Sequence, residues 1–265
     1  MKVFLSADME GTAGVTAWSE TEHDKPDYPQ FQALMTAEVV AACEGALAAG
    51  ATEIIVKDAH HTGRNLLVEC LPPQARIIRD WSGHPHSMMF GIDRDCAAAI
   101  YTGYHDAAGT DSNPLAHSFT GRIMRLTING ALASEFTVNA LTAASLGVPS
   151  AFLSGDCGIC AAATDLAPGI VTVPVSQGFG PAASSVTPAR ARDLIREGVR
   201  AALSDLPLRS HPPLAARWDI EVEFSTPIDA YRGSFFPGVD YPEPRRLRFT
   251  RDDWFEVLRT LRFLW

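Results

Sequence analysis

Four short apolar runs, each ending in Asp, Glu or His, constrain this chain more than any other feature. Val3-Phe4-Leu5 passes through Ser6-Ala7 into Asp8-Met9-Glu10-Gly11, and Thr52-Glu53-Ile54-Ile55-Val56-Lys57 runs into Asp58-Ala59-His60-His61. Ala97-Ala98-Ala99-Ile100-Tyr101 is followed by Gly103-Tyr104-His105, and Val148-Pro149-Ser150-Ala151-Phe152-Leu153 by Ser154-Gly155-Asp156. Runs of this length and composition read as buried strands. In open α/β sheets ligands gather outside the carboxyl ends of the strands, so these endings predict one shared rim. Residues two apart in extended backbone project to the same side, which lets Asp8 and Glu10 face one cation; the alternative for this tetrapeptide is a solvated turn. Imidazole and carboxylate together suit zinc or a similar first-row metal.

The segments between the runs supply the connections. Gln30 to Ala49 carries Phe31, Leu34, Val39, Ala42 and Ala46 at roughly helical spacing and stops at Gly50, which with the strand that follows predicts a β-α-β unit. Short strands are expected over 74–79 and 170–175, with irregular chain over 80–94. Asn129-Gly130 predicts a hairpin joining 123–128 to 131–133, and Ser134 an N-cap for a helix running to Leu146. Pro188 to Leu203 reads as a helix, Leu206 to Pro213 as a linker and Trp218 to Phe224 as an alternating strand. A closing helix is expected to start at Thr250, with Asp253 completing a variant capping box. The expected fold class is α/β, a three-layer, mainly parallel sheet with helices on both faces plus a smaller α+β portion. A metal-binding catalytic domain is expected over 1–185 and the smaller portion over 186–265.

With 265 residues, 46% of them hydrophobic and 20% charged, the chain can build a substantial core. A net charge of −9 disfavours nucleic acid as a partner, because phosphate binding needs basic patches. Five scattered cysteines do not form a secreted disulfide framework. No signal peptide is visible and no run approaches the ~20 apolar residues of a membrane helix, so no membrane partner is expected and the expected location is cytoplasmic.

Ser6-Ala7-Asp8-Met9-Glu10-Gly11, Asp58-Ala59-His60, Gly103-Tyr104-His105, and Asn129-Gly130 followed by Glu135 together resemble the zinc-dependent D-aminopeptidase family, self-compartmentalising bacterial metallopeptidases of dipeptide-transport operons. The resemblance spans residues 1–180 and resumes more weakly near Phe236-Pro237-Gly238-Val239 and the C-terminal helix. It implies two zinc ions per subunit, with Asp8 as the bridging carboxylate and Glu10, His60, His105 and Glu135 as the other ligands. His117 matches the family's non-ligand catalytic histidine, as proton shuttle or oxyanion donor. The implied reaction is hydrolysis of the N-terminal peptide bond of short peptides, with D-residues such as D-Ala, in a ring-like homo-oligomer, a decamer. The chain departs from the family at 176–181, which lacks a Lys-Glu and an Arg, and at Cys157-Gly158-Ile159-Cys160, where acidic residues are usual. Both segments are candidates for the border of the substrate pocket.

Other residues have plainer readings. Asp58 either orients His60 or caps its turn, Asp156 is a candidate for the pocket lining, and His61 is expected to be exposed or supporting. His84 and His86 read as loop residues, and Cys157-x-x-Cys160 lacks the thioredoxin-like setting of a redox pair. The C-terminal aromatics Phe235, Phe236, Trp254, Phe255 and Trp265 read as core or subunit interface, and the ring-like assembly that the resemblance implies favours the interface. Two rival functions share the metal set: an amidase or phosphoesterase, the latter needing cations such as Lys57 or Arg64, and a peptide-binding protein without turnover.

Overall fold

The four polar-ended runs become adjacent parallel strands, as their near-continuous apolar character requires. In the computed structural model, which describes residues 1–206 and 211–265, they are β1 (Lys2–Ala7), β2 (Glu53–Asp58), β4 (Ala98–Tyr104) and β7 (Ser150–Asp156). With β3 (Ala75–Ile78), β8 (Val171–Phe179) and β9 (Ala182–Ser185) they form a seven-stranded sheet in the order β3-β2-β1-β4-β7-β8-β9. All neighbours are parallel except β9, which returns antiparallel to β8. The expected strand at 170–175 therefore continues to Phe179 and turns into a hairpin. The chain leaves β1 for β2 on one side, whereas β4 lies on the other, so the strand order reverses between β1 and β4. Such a switch point opens a crevice at the carboxyl ends of the strands.

Helices cover both faces. On one, α2 (Tyr28–Ala48) and α5 (Pro188–Ser204) pack Met35, Val39, Ile195 and Val199 against Val3, Leu5 and Phe152. On the other, α3 (Glu135–Ser145) and α4 (Cys157–Leu166) pack Phe136, Ala140 and Ile159 against Phe4, Tyr101 and Leu153. The boundary expected between 185 and 186 thus falls just before α5, and α5 itself lies against α2 and the parallel sheet. By length and composition α2 would also pass as a membrane span, but half of its most apolar stretch is buried inside the protein, as a core helix requires.

A second, antiparallel sheet has the order β11-β12-β10-β5-β6. It combines β10 (Trp218–Phe224), β11 (Asp240–Glu243) and β12 (Arg246–Arg251) with β5 (Ile123–Ile128) and β6 (Ala131–Leu132), the hairpin turned by Asn129-Gly130. Its core includes Leu126, Ile220, Val222, Leu247 and Phe249, and Val138 and Leu141 of α3 join it. With Phe136 and Ala140 in the other core, α3 is wedged between the two sheets and its N-terminus is fixed at the rim. Two further helices, α6 (Pro227–Gly233) and α7 (Trp254–Leu264), complete this layer.

The start of α7 differs from expectation. Asp253 is its N-cap, accepting the Glu256 N–H at 3.1 Å, whereas Thr250 belongs to β12 and donates its hydroxyl to Asp219 at 2.6 Å. Trp254 is core, its indole N–H donated to Thr142 at 3.1 Å, while Phe235 and Phe255 are exposed. The linker reading over 206–213 falls in part on residues 207–210, outside the described residues.

Candidate metal centre

Each candidate ligand sits where a strand or helix ends at the switch point. Asp8 follows β1 and its N–H donates to Thr102 O of β4 at 2.9 Å. Glu10 comes next, and the chain then passes so close to β4 that a Cβ at Gly11 would stand 1.8 Å from Tyr104 O; only glycine fits. His60 lies in the turn after β2. Asp58 braces that turn, accepting the N–H groups of Asn65 (2.6 Å) and Leu66 (2.8 Å) and the Asn65 side-chain amide (2.8 Å), which also donates to His60 O. Asp58 therefore caps the turn and does not touch the imidazole. His105 follows β4. Glu135 is the first residue of α3, whose N-cap Ser134 accepts the Thr137 N–H at 3.1 Å.

The result is two triads that share one carboxylate. Ligand atoms of Asp8, Glu10 and His60 lie within 4.8 Å of one another, as do those of Asp8, His105 and Glu135. Asp8 Oδ1 is 3.2 Å from His60 Nδ1, and Asp8 Oδ2 is 3.5 Å from His105 Nε2. His60 Nδ1 is also 3.0 Å from Glu10 Oε2, and His105 Nε2 is 3.6 Å from Glu135 Oε1. All of these residues are buried. His117 comes from the loop between β4 and β5 and is 15% exposed at its side chain, with Nε2 3.6 Å from Glu135 and 4.0 Å from Glu10. Its ring stacks on His105 at 4.3 Å. Glu10, His105 and His117 also approach closely enough to hold an ion.

The three imidazoles have one feature in common. His60 donates Nε2–H to Thr21 O (2.8 Å), His105 donates Nδ1–H to Asp106 O (2.9 Å) and His117 donates Nδ1–H to Leu115 O (3.0 Å). The remaining ring nitrogen of each, a lone pair when the ring is neutral, then faces carboxylates. That is how metal-binding histidines are held, and without positive charge between them it would be repulsive. The electrostatics agree. Burial, then the Glu10 charge, pushes Asp8 well above the usual carboxylate range. Burial opposes charge on His60 and His105, but the facing carboxylates outweigh it and raise both well above an ordinary imidazole. Glu10 goes the other way: His60 overrides the effect of burial and holds it low. Asp8 Oδ2, Glu10 Oε2 and His105 Nε2 are buried without a hydrogen-bond partner among the described residues. A site this rich in carboxylate and imidazole fits zinc.

The centre lies in a cavity of about 390 Å³, lined by residues that include Trp18, Trp81, Phe119, Arg262 and Trp265. Asp156 and the segments 157–160 and 176–181 are not among the lining residues. Asp156 instead caps α4 and accepts the Asn113 side-chain amide, which also donates to Glu10 O, so it supports the Glu10 loop from behind. His61 is exposed at the cavity edge. Lys57, considered as a phosphate-binding cation, is buried, its ammonium donated to the carbonyls of Asp58 and Asp80. Thr21, which orients His60, and the aromatic walls had no local motif to mark them.

Residues 1–263 match the model of peptidase family M55, described as D-aminopeptidase. A D-aminopeptidase of Bacillus subtilis (strain 168) is 30% identical over 243 residues, covering 91% of this chain and 87% of the relative. The solved structure of the "Zn-dependent D-aminopeptidase DppA from Bacillus subtilis, a self-compartmentalizing protease" superposes with a TM-score of 0.94 at 28% identity, over 100% of this chain and 96% of that one. With its α/β fold and its rim of carboxylates and imidazoles, this chain belongs to the M55 family of D-aminopeptidases, hydrolases of peptide bonds.

Proposed function

We propose that this chain is a dinuclear-zinc aminopeptidase that removes the N-terminal residue of short peptides, preferentially a D-residue such as D-alanine. The observation that carries the reading is the Asp8 carboxylate, which presents one oxygen to each triad. Asp8, Glu10 and His60 would hold one ion, and Asp8, His105 and Glu135 the other. Zinc bound there supplies Lewis acidity, which lowers the pKa of water to about 7 and polarises a carbonyl.

His117 does the proton work. Burial, then the neighbouring His105, lowers its pKa, so it is neutral at pH 7 and able to accept a proton. Because Nδ1–H is committed to Leu115 O, the basic nitrogen is Nε2, which faces the cluster. In its neutral form Nε2 has no proton to offer an oxyanion, which favours the shuttle role over that of oxyanion donor. It takes the proton of the attacking water and returns it to the departing amine. With zinc bound, Asp8, Glu10 and Glu135 would be ionised as its ligands. The aromatic walls restrict the cavity and exclude water around the reacting bond.

The D-preference rests on the family and on the relatives' names. We also propose a ring-like homo-oligomer, a decamer, in the cytoplasm; the self-compartmentalising relative supports the assembly. The test supplies zinc to the protein and offers D-Ala-D-Ala, L-Ala-L-Ala and D-Ala-para-nitroanilide, with metal content measured in parallel. Two zinc ions per chain and release from the D-substrates are expected. His117→Ala should keep its metal and lose about 10²–10⁴-fold in kcat. A single zinc per chain, or turnover of the L-peptide alone, overturns the corresponding part of the reading.

A further inference from the structure

The cavity floor is acidic, through Asp8, Glu10 and Glu135, and among the described residues the lining holds a single Lys or Arg side chain, Arg262. Arg262 belongs to no strand of the parallel sheet; it comes from the last turn of α7. It is half-buried. Its guanidinium makes no hydrogen bond or ion pair among the described residues, whereas Arg259, one turn earlier, pairs with Glu256. A planar guanidinium fork matches a carboxylate bidentately, so an unpaired one facing a concave site is suited to receive an anion.

The wall that carries Arg262 is also tied to the metal centre. Trp265, just beyond α7, stacks on Phe119 with centroids 4.4 Å apart and planes 6° from parallel. Phe119 in turn donates its N–H to Glu135 Oε1 at 2.6 Å. Glu135, Phe119 and Trp265 therefore form a chain of contacts that fixes the end of α7 relative to the second triad. A cavity of about 390 Å³ lies toward the small end of ligand sites, and an extended peptide advances roughly 3.3–3.6 Å per residue. Two or three residues fill such a space.

We propose that Arg262 is a specificity-determining residue that receives the C-terminal carboxylate of a short peptide whose amino end lies over the triads, an inference that rests on the aminopeptidase reading above. It confines the enzyme to peptides that are short and end in a free acid. Substrates whose C-terminus is amidated, or lies several residues further on, lose the anchor.

The experiment compares D-Ala-D-Ala with its C-terminal amide in two ways. The first is kcat/KM in wild type, Arg262→Ala and Arg262→Lys. The second is calorimetric binding to the zinc-supplied His117→Ala protein, with and without Arg262→Ala. The wild type should favour the acid over the amide by about 10- to 100-fold, the scale of a lost charge-assisted pair. That ratio should collapse toward one in Arg262→Ala, mainly through KM, and recover in part in Arg262→Lys. Equal handling of acid and amide by the wild type, an acid preference that survives in Arg262→Ala, or no binding of the acid overturns the proposal. Hydrolysis without an acid preference removes the anchor and leaves the aminopeptidase reading. An acid preference in binding without hydrolysis of any peptide removes that reading and leaves Arg262 as a carboxylate receptor.

Discussion

β4 and β10 are both seven-residue strands at the centre of a sheet, yet they treat polar side chains in opposite ways. Every residue of β4 is buried, because helices cover both faces of the parallel sheet. Along β10, buried residues alternate with half-exposed ones, and the half-exposed set, Asp219, Glu221 and Glu223, faces solvent. A charged group in a sheet covered on both sides must be paired, neutralised or used, whereas in a sheet covered on one side it is simply the wet face. The same residue types therefore carry different information in the two layers. At the ends of the parallel strands they mark the metal centre; along β10 they mark solvent.

The sharpest way to break this comparison is at Asp8. Asp8→Ala removes the only carboxylate shared by both triads, so zinc content should fall and activity should drop at least as far as the upper end of the about 10²–10⁴-fold expected for His117→Ala. Retention of two zinc ions per chain, measured by atomic emission, would show that Asp8 does not bridge.

Glu38 of α2 extends the argument to stability. Its Oε1 accepts the Ala13 N–H at 2.9 Å, holding the loop beyond Glu10, and burial pushes its pKa up from 4.5 to about 7. The folded chain thus keeps a proton that the unfolded chain releases between those values. This contribution is fully present below pH 4.5 and is lost as pH rises toward 7, by about 3 kcal/mol in total. Glu38→Gln should remove that part of the slope, so the stability of the variant relative to wild type should rise between pH 5 and pH 8 in urea titrations. An unchanged difference at the two pH values would mean that Glu38 is ionised in the folded protein. A smaller loss, about 2 kcal/mol, is expected for Lys57→Met, which leaves the carbonyls of Asp58 and Asp80 without their donor. Urea midpoints at pH 7 check it.

The parallel layer was legible because its strands are apolar on both faces and its chemistry sits at their ends. Asp8, Glu10, His60 and His105 each follow a run that reads as a strand, and Glu135 follows a readable N-cap. β1, β2 and β4 converge on one rim because parallel strands all place their carboxyl ends on the same side. The cavity walls were not legible in the same way. Arg262, Trp265, Phe119, Trp18 and Thr21 come from segments distant in sequence and meet only through the packing of α7 and α1 (Trp18–Thr21), which leaves no local period or motif. The same is true of the hairpin 123–132: its turn is written in Asn129-Gly130, but its partnership with β10 depends on the second core. Trp254 illustrates the limit. An aromatic in this part of the sequence serves core or interface, and only the folded packing, with Trp254 buried and Thr142 beside its indole, shows that it is core.

The smallest effect is expected on the wet face of β10. Glu223 lies 3.0 Å from Arg245, which is exposed, and 3.5 Å from Arg246, which is half-exposed. Each ion pair at such a surface contributes no more than about 1 kcal/mol, because water screens the charges and two long side chains must be held in place. Glu223→Gln keeps the shape and removes only the charge, so it should cost less than about 1 kcal/mol in urea, with the difference vanishing near 1 M salt. Metal content should be unaffected. A cost of several kcal/mol that persists in salt would mean that this face is covered, and in a chain whose exposed apolar side chains Ile228, Tyr231 and Phe235 lie in the same layer, the cover would have to come from another subunit. The wet face would then be an interface, and the contrast between the two sheets would hold only for the isolated chain.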